Sequence, residues 1–188
     1  MPMTIAPALP APRRGRLHNV FWRMRQFGHV LRSRPDPVVD RELKRLLGSD
    51  AQWQLLDSLT PFDRAHHLRV YTWLVESGEN DPDLLRAALL HDVGKADERG
   101  RVNAFHRTVH VLLKRIAPAL LERLAVNDGW FRHGLWLSVF HAEHGAALAR
   151  AAGASERCCT LIASHATPLN DSDPLLMALA AADNASIR

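Results

Sequence analysis

An all-α fold follows from three features of the sequence. Hydrophobic residues make up 47% of the 188-residue chain but aromatic residues only 6%, and the apolar remainder is dominated by Ala and Leu, which favour helix over strand. Apolar residues recur at helical spacing, and no strand-like alternation of useful length occurs. Cap-and-proline starts punctuate the chain at Thr60-Pro61, Asp81-Pro82 and Asp173-Pro174, and Arg34-Pro35-Asp36-Pro37 breaks it. Together they predict a compact multi-helix bundle with about eight or more helices.

Taken in order, residues 1–16 are rich in Pro and Ala, end in Arg13-Arg14-Gly15-Arg16, and are expected to form a disordered tail. Residues 17–59 are expected to form N-terminal helices packing on a domain of residues 60–188. The first, His18 to Leu31, carries Phe21, Trp22 and Phe27 beside Arg23 and Arg25. Packing on the main domain is favoured for it over a membrane-surface role. Val38 to Leu47 is a second helix stopped by Gly48, and Ser49 caps a third. Thr60-Pro61-Phe62-Asp63 opens a helix to Ser77, and Asp81-Pro82-Asp83 opens one that reaches His91-Asp92, with Gly94 expected to stop it. Ala104 to Ile116 is expected to turn Val109, Leu112, Leu113 and Ile116 to the core. Its His106 and His110 stand four apart, a metal spacing that nothing else in the sequence supports. Pro118 to Leu124 follows, then Trp130 to Ala152 with an expected break near Gly134. Glu156 to Ser164 is capped by Ser155, and a last helix starts at Pro174.

The charge is uneven. Residues 1–50 hold 10 Lys and Arg against 4 Asp and Glu, whereas the remainder holds 14 against 16, so the basic character belongs to the N-terminal quarter and nucleic acid is not expected as a partner. Cys158 and Cys159 are adjacent, a poor geometry for a mutual disulfide, and read as reduced core residues. Pro2, Pro7, Pro10 and Pro12 stand where a secretory signal would have its apolar run. No stretch approaches the ~18 apolar residues of a membrane span. A cytoplasmic protein is expected.

Against this helical background one stretch stands out, Leu89-Leu90-His91-Asp92-Val93-Gly94-Lys95. His66, His141, His165 and Asp183 likewise stand on apolar helical stripes or at their ends. Burying such groups singly costs a few kcal/mol each, so their recurrence suggests that they satisfy one another through a metal. Imidazole and carboxylate suit divalent Fe, Mn, Co, Ni or Zn. Six ligands, His66, His91, Asp92, His141, His165 and Asp183, exceed what one catalytic ion needs and suit two, with a carboxylate bridging. A metal-bound hydroxide is then the expected nucleophile, and Lys95 can neutralise a substrate phosphate.

This pattern of His, His-Asp and Asp on a helical scaffold, with His-Asp-Val-Gly-Lys, resembles the HD-domain superfamily of metal-dependent phosphohydrolases over roughly Pro61 to Ser186. His66-His67-Leu68-Arg69-Val70 is similar to the family's first histidine motif, with His66 as ligand and His67 as spacer. Asp183 in Ala-Ala-Asp-Asn fits the closing aspartate. His141-Ala-Glu-His-Gly-Ala looks like an element that selects His141 over His144 in the dinuclear subset, and the arrangement is similar to the HD-type diadenosine tetraphosphate hydrolases. No Gly-Tyr-Pro element occurs, which separates the chain from the cyclic di-GMP phosphodiesterases, and residues 1–50 match nothing in the family. The resemblance implies an HD-domain-like bundle and a phosphohydrolase acting on a phosphate ester or anhydride of a nucleotide, with Asp92 and Lys95 as catalytic residues. The alternative is a non-catalytic HD module that binds a nucleotide and regulates a partner.

Overall fold

The helix starts expected from capping chemistry are all present in the structure, a computed structural model that describes residues 34–166 and 172–186. The expected tail of residues 1–16 and the helix of residues 18–31 lie outside the described residues. Nine α-helices are seen among the described residues. Helix α1 (Pro37–Leu47) is capped by the Asp36 side chain, which accepts from the Val38 N–H at 2.9 Å. It ends at Gly48, whose φ of +60° suits glycine. Helix α2 (Asp50–Asp57) is capped by Ser49. The buried guanidinium of Arg64 then joins three segments, lying 2.7 Å from Asp40 of α1 and donating to the carbonyls of Asp57 and Leu59.

Helix α3 (Pro61–Glu76) starts at Thr60, whose Oγ1 accepts from the Asp63 N–H. Helix α4 (Pro82–Leu90) starts at Asp81, whose Oδ1 accepts from the N–H groups of Asp83 and Leu84 at 3.0 and 2.9 Å. Helix α4 is the centre of the core. Leu84, Ala87, Ala88, Leu89 and Leu90 are all buried, against α3 on one side and α8 (Glu156–Ser164) and α9 (Pro174–Ser186) on others. Each leucine buried there contributes about 1.5–3 kcal/mol. Leu43, Leu47, Leu56 and Leu59 belong to the same core, so α1 and α2 share it with the later helices.

Three expectations are corrected. Helix α4 ends at Leu90, and Gly94 does not stop it: Val93–Lys95 form a 3₁₀ turn, and Gly94 is not among the glycines with positive φ. Space is what Gly94 provides. A Cβ there would sit 2.0 Å from the His141 carbonyl oxygen and 2.5 Å from the Gly145 nitrogen, so the glycine lets α7 (Trp130–Ala151) lie directly on the turn. Helix α7 is likewise unbroken at Gly134, where a Cβ would meet the His106 ring at 2.3 Å. The segment after Lys95 adds a two-residue antiparallel ladder to the helices, Ala96–Asp97 (β1) with Gly100–Arg101 (β2). Finally, helix α5 (Ala104–Ile116) does not bury Leu112 and Ile116, which are 52% and 66% exposed. Only Val109 and Leu113 of its expected core face pack, against the short helix α6 (Pro118–Leu124) and α7 around Leu121 and Leu135.

Candidate metal centre

Five segments meet at Asp92. Histidine 66 comes from the first half of α3, and His91 and Asp92 follow the last residue of α4. His141 lies in the middle of α7, His165 follows α8, and Asp183 lies in α9. Asp92 has φ −109° and ψ 7°, the sparsely populated bridge region where many active-site residues sit.

The two carboxylate oxygens of Asp92 face different groups. Oδ2 lies 3.5 Å from His91 Nε2 and is paired with Lys95 Nζ. Oδ1 lies 3.5 Å from His141 Nε2 and 3.6 Å from His165 Nε2. Asp183 Oδ1 accepts from His66 Nε2 at 2.9 Å and lies 3.9 Å from His91 Nε2. Ligand-type atoms of His66, His91 and Asp92 all fall within 4.8 Å of one another, and so do those of Asp92, His141 and His165. The structure therefore brings all six expected ligands together, with Asp92 common to two groups. His144, three residues after His141, faces Asp97 instead at 4.0 Å.

The orientation of the rings is set by the backbone. Nδ1 of His91, His141 and His165 lies 3.0, 3.1 and 2.6 Å from the carbonyl oxygens of Ala88, Ser138 and Ile162. A carbonyl can only accept, so Nδ1 carries the proton and donates, and in the neutral ring Nε2 presents its lone pair inward. This outer support is characteristic of metal-bound histidines. It also sets acceptor against acceptor, an arrangement that a bound cation would relieve. Burial holds the His91 ring well below the ordinary histidine range and lowers His141 to about 4, so both rings are neutral at pH 7. Their lone pairs then confront an ionised carboxylate: burial would raise the Asp92 pKa, but the nearby groups, the Lys95 ammonium foremost, outweigh it and hold it well below the usual range. Acceptors facing acceptors at 3.5 Å repel. The His91 Nε2 atom is buried and has no hydrogen-bond partner, a costly arrangement unless a metal ion takes its lone pair. His165 shows the same pull differently. Burial lowers its pKa, but Asp92 more than offsets this and raises it, so the Oδ1 side of Asp92 favours positive charge. The donor set thus suits divalent transition metals on both sides of Asp92.

A model of the HD domain family matches residues 64–187. The chain belongs to the HD domain family. Members are in general metal-dependent hydrolases, and the His and Asp groups of this HD domain can hold metal. Neither the curated proteins nor the solved structures yielded a match.

Two features of this HD domain were not foreseen. His67, expected as a spacer, is fully buried. Its Nδ1 donates to the Leu89 carbonyl at 2.6 Å, and its ring stacks on His91 at 4.5 Å and 20°. The signal was available in the sequence, because two consecutive histidines in a buried helix cannot both face one site. The second is a buried ion pair, in which Arg107 Nη2 of α5 lies 2.8 and 2.7 Å from the two oxygens of Asp63 on α3, closing α5 over the N-terminal end of the His66 helix. No local motif announces a pair separated by 44 residues. His106 is not near Asp92: it completes the α5 capping box with Asn103 and packs against Trp130. Lys95 Nζ is paired with Asp92 at the edge of the cluster, its side chain 20% exposed.

Proposed function

We propose that this HD domain protein is a dinuclear phosphohydrolase that cleaves a phosphate ester or anhydride of a nucleotide. The observation that carries the reading is the division of Asp92, with one oxygen toward His91 and the other toward His141 and His165. In this reading His66, His91, Asp92 and Asp183 would hold one ion, and Asp92, His141 and His165 would hold the other. Such ions activate water at neutral pH and clamp phosphoryl oxygens. The protein's own contribution is to fix the imidazole tautomers through the three carbonyl contacts and to keep Asp92 ionised. Lys95 adds a cation, one-fifth exposed beside the bridge, that a substrate phosphate can engage. The nucleotide class rests on the likeness in ligand arrangement to the diadenosine tetraphosphate hydrolases.

Metal analysis of anaerobically purified full-length protein, paired with phosphate release from a panel of nucleotides, tests the reading. Two equivalents of transition metal and turnover of at least one nucleotide are expected, with Asp92→Ala losing both. Two ions without turnover of any nucleotide would favour the regulatory module. An Asp92→Ala protein that keeps two ions and normal turnover would remove the bridge.

A further inference from the structure

Among the described residues, the exposed large hydrophobic side chains are concentrated in one region. Eight of these eleven side chains fall between residues 105 and 140. On α5 they form a stripe. Phe105, Leu112 and Ile116 are spaced by seven and four residues, so they share one face of the helix, and the half-buried Val109 completes it. Leu120 of α6 is 46% exposed and Trp130 at the start of α7 is 64% exposed. The Phe105 ring lies 5.7 Å from Phe131, and His106 lies 4.8 Å from Trp130, so the stripe continues onto the start of α7. Single exposed apolar residues need no explanation, but a grouped set marks an interaction surface.

The charge around the stripe selects the occupant. Residues 99–132 contain seven Lys and Arg against two Asp and Glu, whereas the rest of residues 51–188 contains seven against fourteen. Arg99, Arg101, Lys114, Arg115 and Arg123 of this region are exposed, and α5 itself has no acidic residue. A second copy presenting the same face would set two positive surfaces together. Residues 1–33 are no better suited, with six Arg and no Asp or Glu. Exposed Trp, Phe, Leu and Ile on a helix edged by Lys and Arg are the features of an element lying in the plane of an anionic bilayer surface. No helix among the described residues is long and apolar enough to cross a membrane, so the contact is peripheral.

We propose that the face formed by α5, α6 and the start of α7 docks on an anionic membrane surface, with Phe105, Leu112, Ile116 and Trp130 inserting and Arg115, on the flank of the stripe, and Arg123, one turn from Leu120, contacting lipid headgroups. The inference is independent of the metal centre.

Co-sedimentation of the full-length protein with vesicles of phosphatidylcholine alone, or of phosphatidylcholine with phosphatidylglycerol, tests it. Binding is expected only to the anionic vesicles and should weaken as salt is raised. Leu112→Glu with Ile116→Glu should reduce partitioning roughly tenfold or more, and so should Arg115→Glu with Arg123→Glu. All four side chains are exposed, and circular dichroism should show an unchanged fold. Because residues 1–33 are also basic, binding that persists in both double variants would place the membrane contact elsewhere and overturn the proposal. Absence of binding to anionic vesicles at low salt would also overturn it. A concentration-dependent dimer that Leu112→Glu with Ile116→Glu dissolves, without vesicle binding, would assign the face to a second copy instead.

Discussion

At the scale of single residues, the site is governed by what Asp92 and its neighbours can accept or donate. Lys95 Nζ is paired with Asp92 Oδ2, the oxygen that also faces His91. A lysine at this oxygen competes with a metal ion for it. Lys95→Ala should therefore leave metal content unchanged or raise metal affinity, while kcat/KM on a phosphate substrate falls roughly ten- to a thousand-fold through loss of one charged contact. Unchanged kcat/KM would return Lys95 to the role of counter-ion for Asp92. His165 Nε2 faces Asp92 Oδ1, so His165→Ala should remove one equivalent of metal and leave the other, as read by metal analysis. Loss of both equivalents would mean that the two groups are not separable. Most of these residues were legible in the sequence because each broke an apolar stripe. His67 was not, because its stacking on His91 depends on where α4 passes α3.

At the scale of elements, starts were legible and ends and faces were less so. Caps are local chemistry: Asp36, Ser49, Thr60, Asp81 and Ser155 each accept from a backbone N–H within three residues. Gly94 and Gly134 looked like breakers because glycine often is one, but both are required by a neighbour distant in sequence. The amphipathicity of α5 was legible too. A periodic pattern says which face is apolar, however, and not what covers it. The Gly94 contact yields a sharp expectation. The atoms a Cβ would meet belong to the α7 backbone, with Gly145 Cα at 2.9 Å besides the two closer contacts, and backbone cannot rotate away. Gly94→Ala should push α7 off the 3₁₀ turn and carry His141 away from Asp92. A destabilisation of about 1–3 kcal/mol or more is expected, together with loss of metal on the His141 side. A variant with wild-type melting temperature and full metal content would show that the close approach is not needed.

At the scale of the whole molecule, the site doubles as a cross-brace, since its groups come from α3, the end of α4, α7, the end of α8 and α9. That makes stability depend on protons. Burial holds His67 and His141 at about 4, and His91 also well below the ordinary value, whereas the unfolded chain titrates these rings near ~6.5. Between those values the unfolded chain binds protons that the folded one must exclude. Stability of the metal-free protein should therefore rise with pH across that window, each fully neutral ring adding about 1.4 kcal/mol per pH unit. His165 acts in the opposite sense. Its pKa is raised by Asp92 against the effect of burial, so its contribution is complete below its unfolded pKa and is lost as pH rises through the folded one. Three rings outweigh one between pH 4 and 6.5, and the net slope there is positive. Asp92 and Asp63 are ionised across the window: in both, burial is outweighed by nearby cations, Lys95 first for Asp92 and Arg107 first for Asp63. Their contribution disappears only as pH falls below the ordinary carboxylate range. Thermal melts of chelator-treated protein at steps from pH 4 to 8 should thus climb to about pH 6.5 and then flatten or turn down slightly. Adding metal at pH 7 should raise the melting temperature, because an ion bound only by the folded state stabilises it by mass action. A melting temperature independent of pH below 6.5 would mean that the rings are solvated rather than buried. That result would remove the confrontation of neutral imidazoles with an ionised Asp92 on which the metal assignment rests.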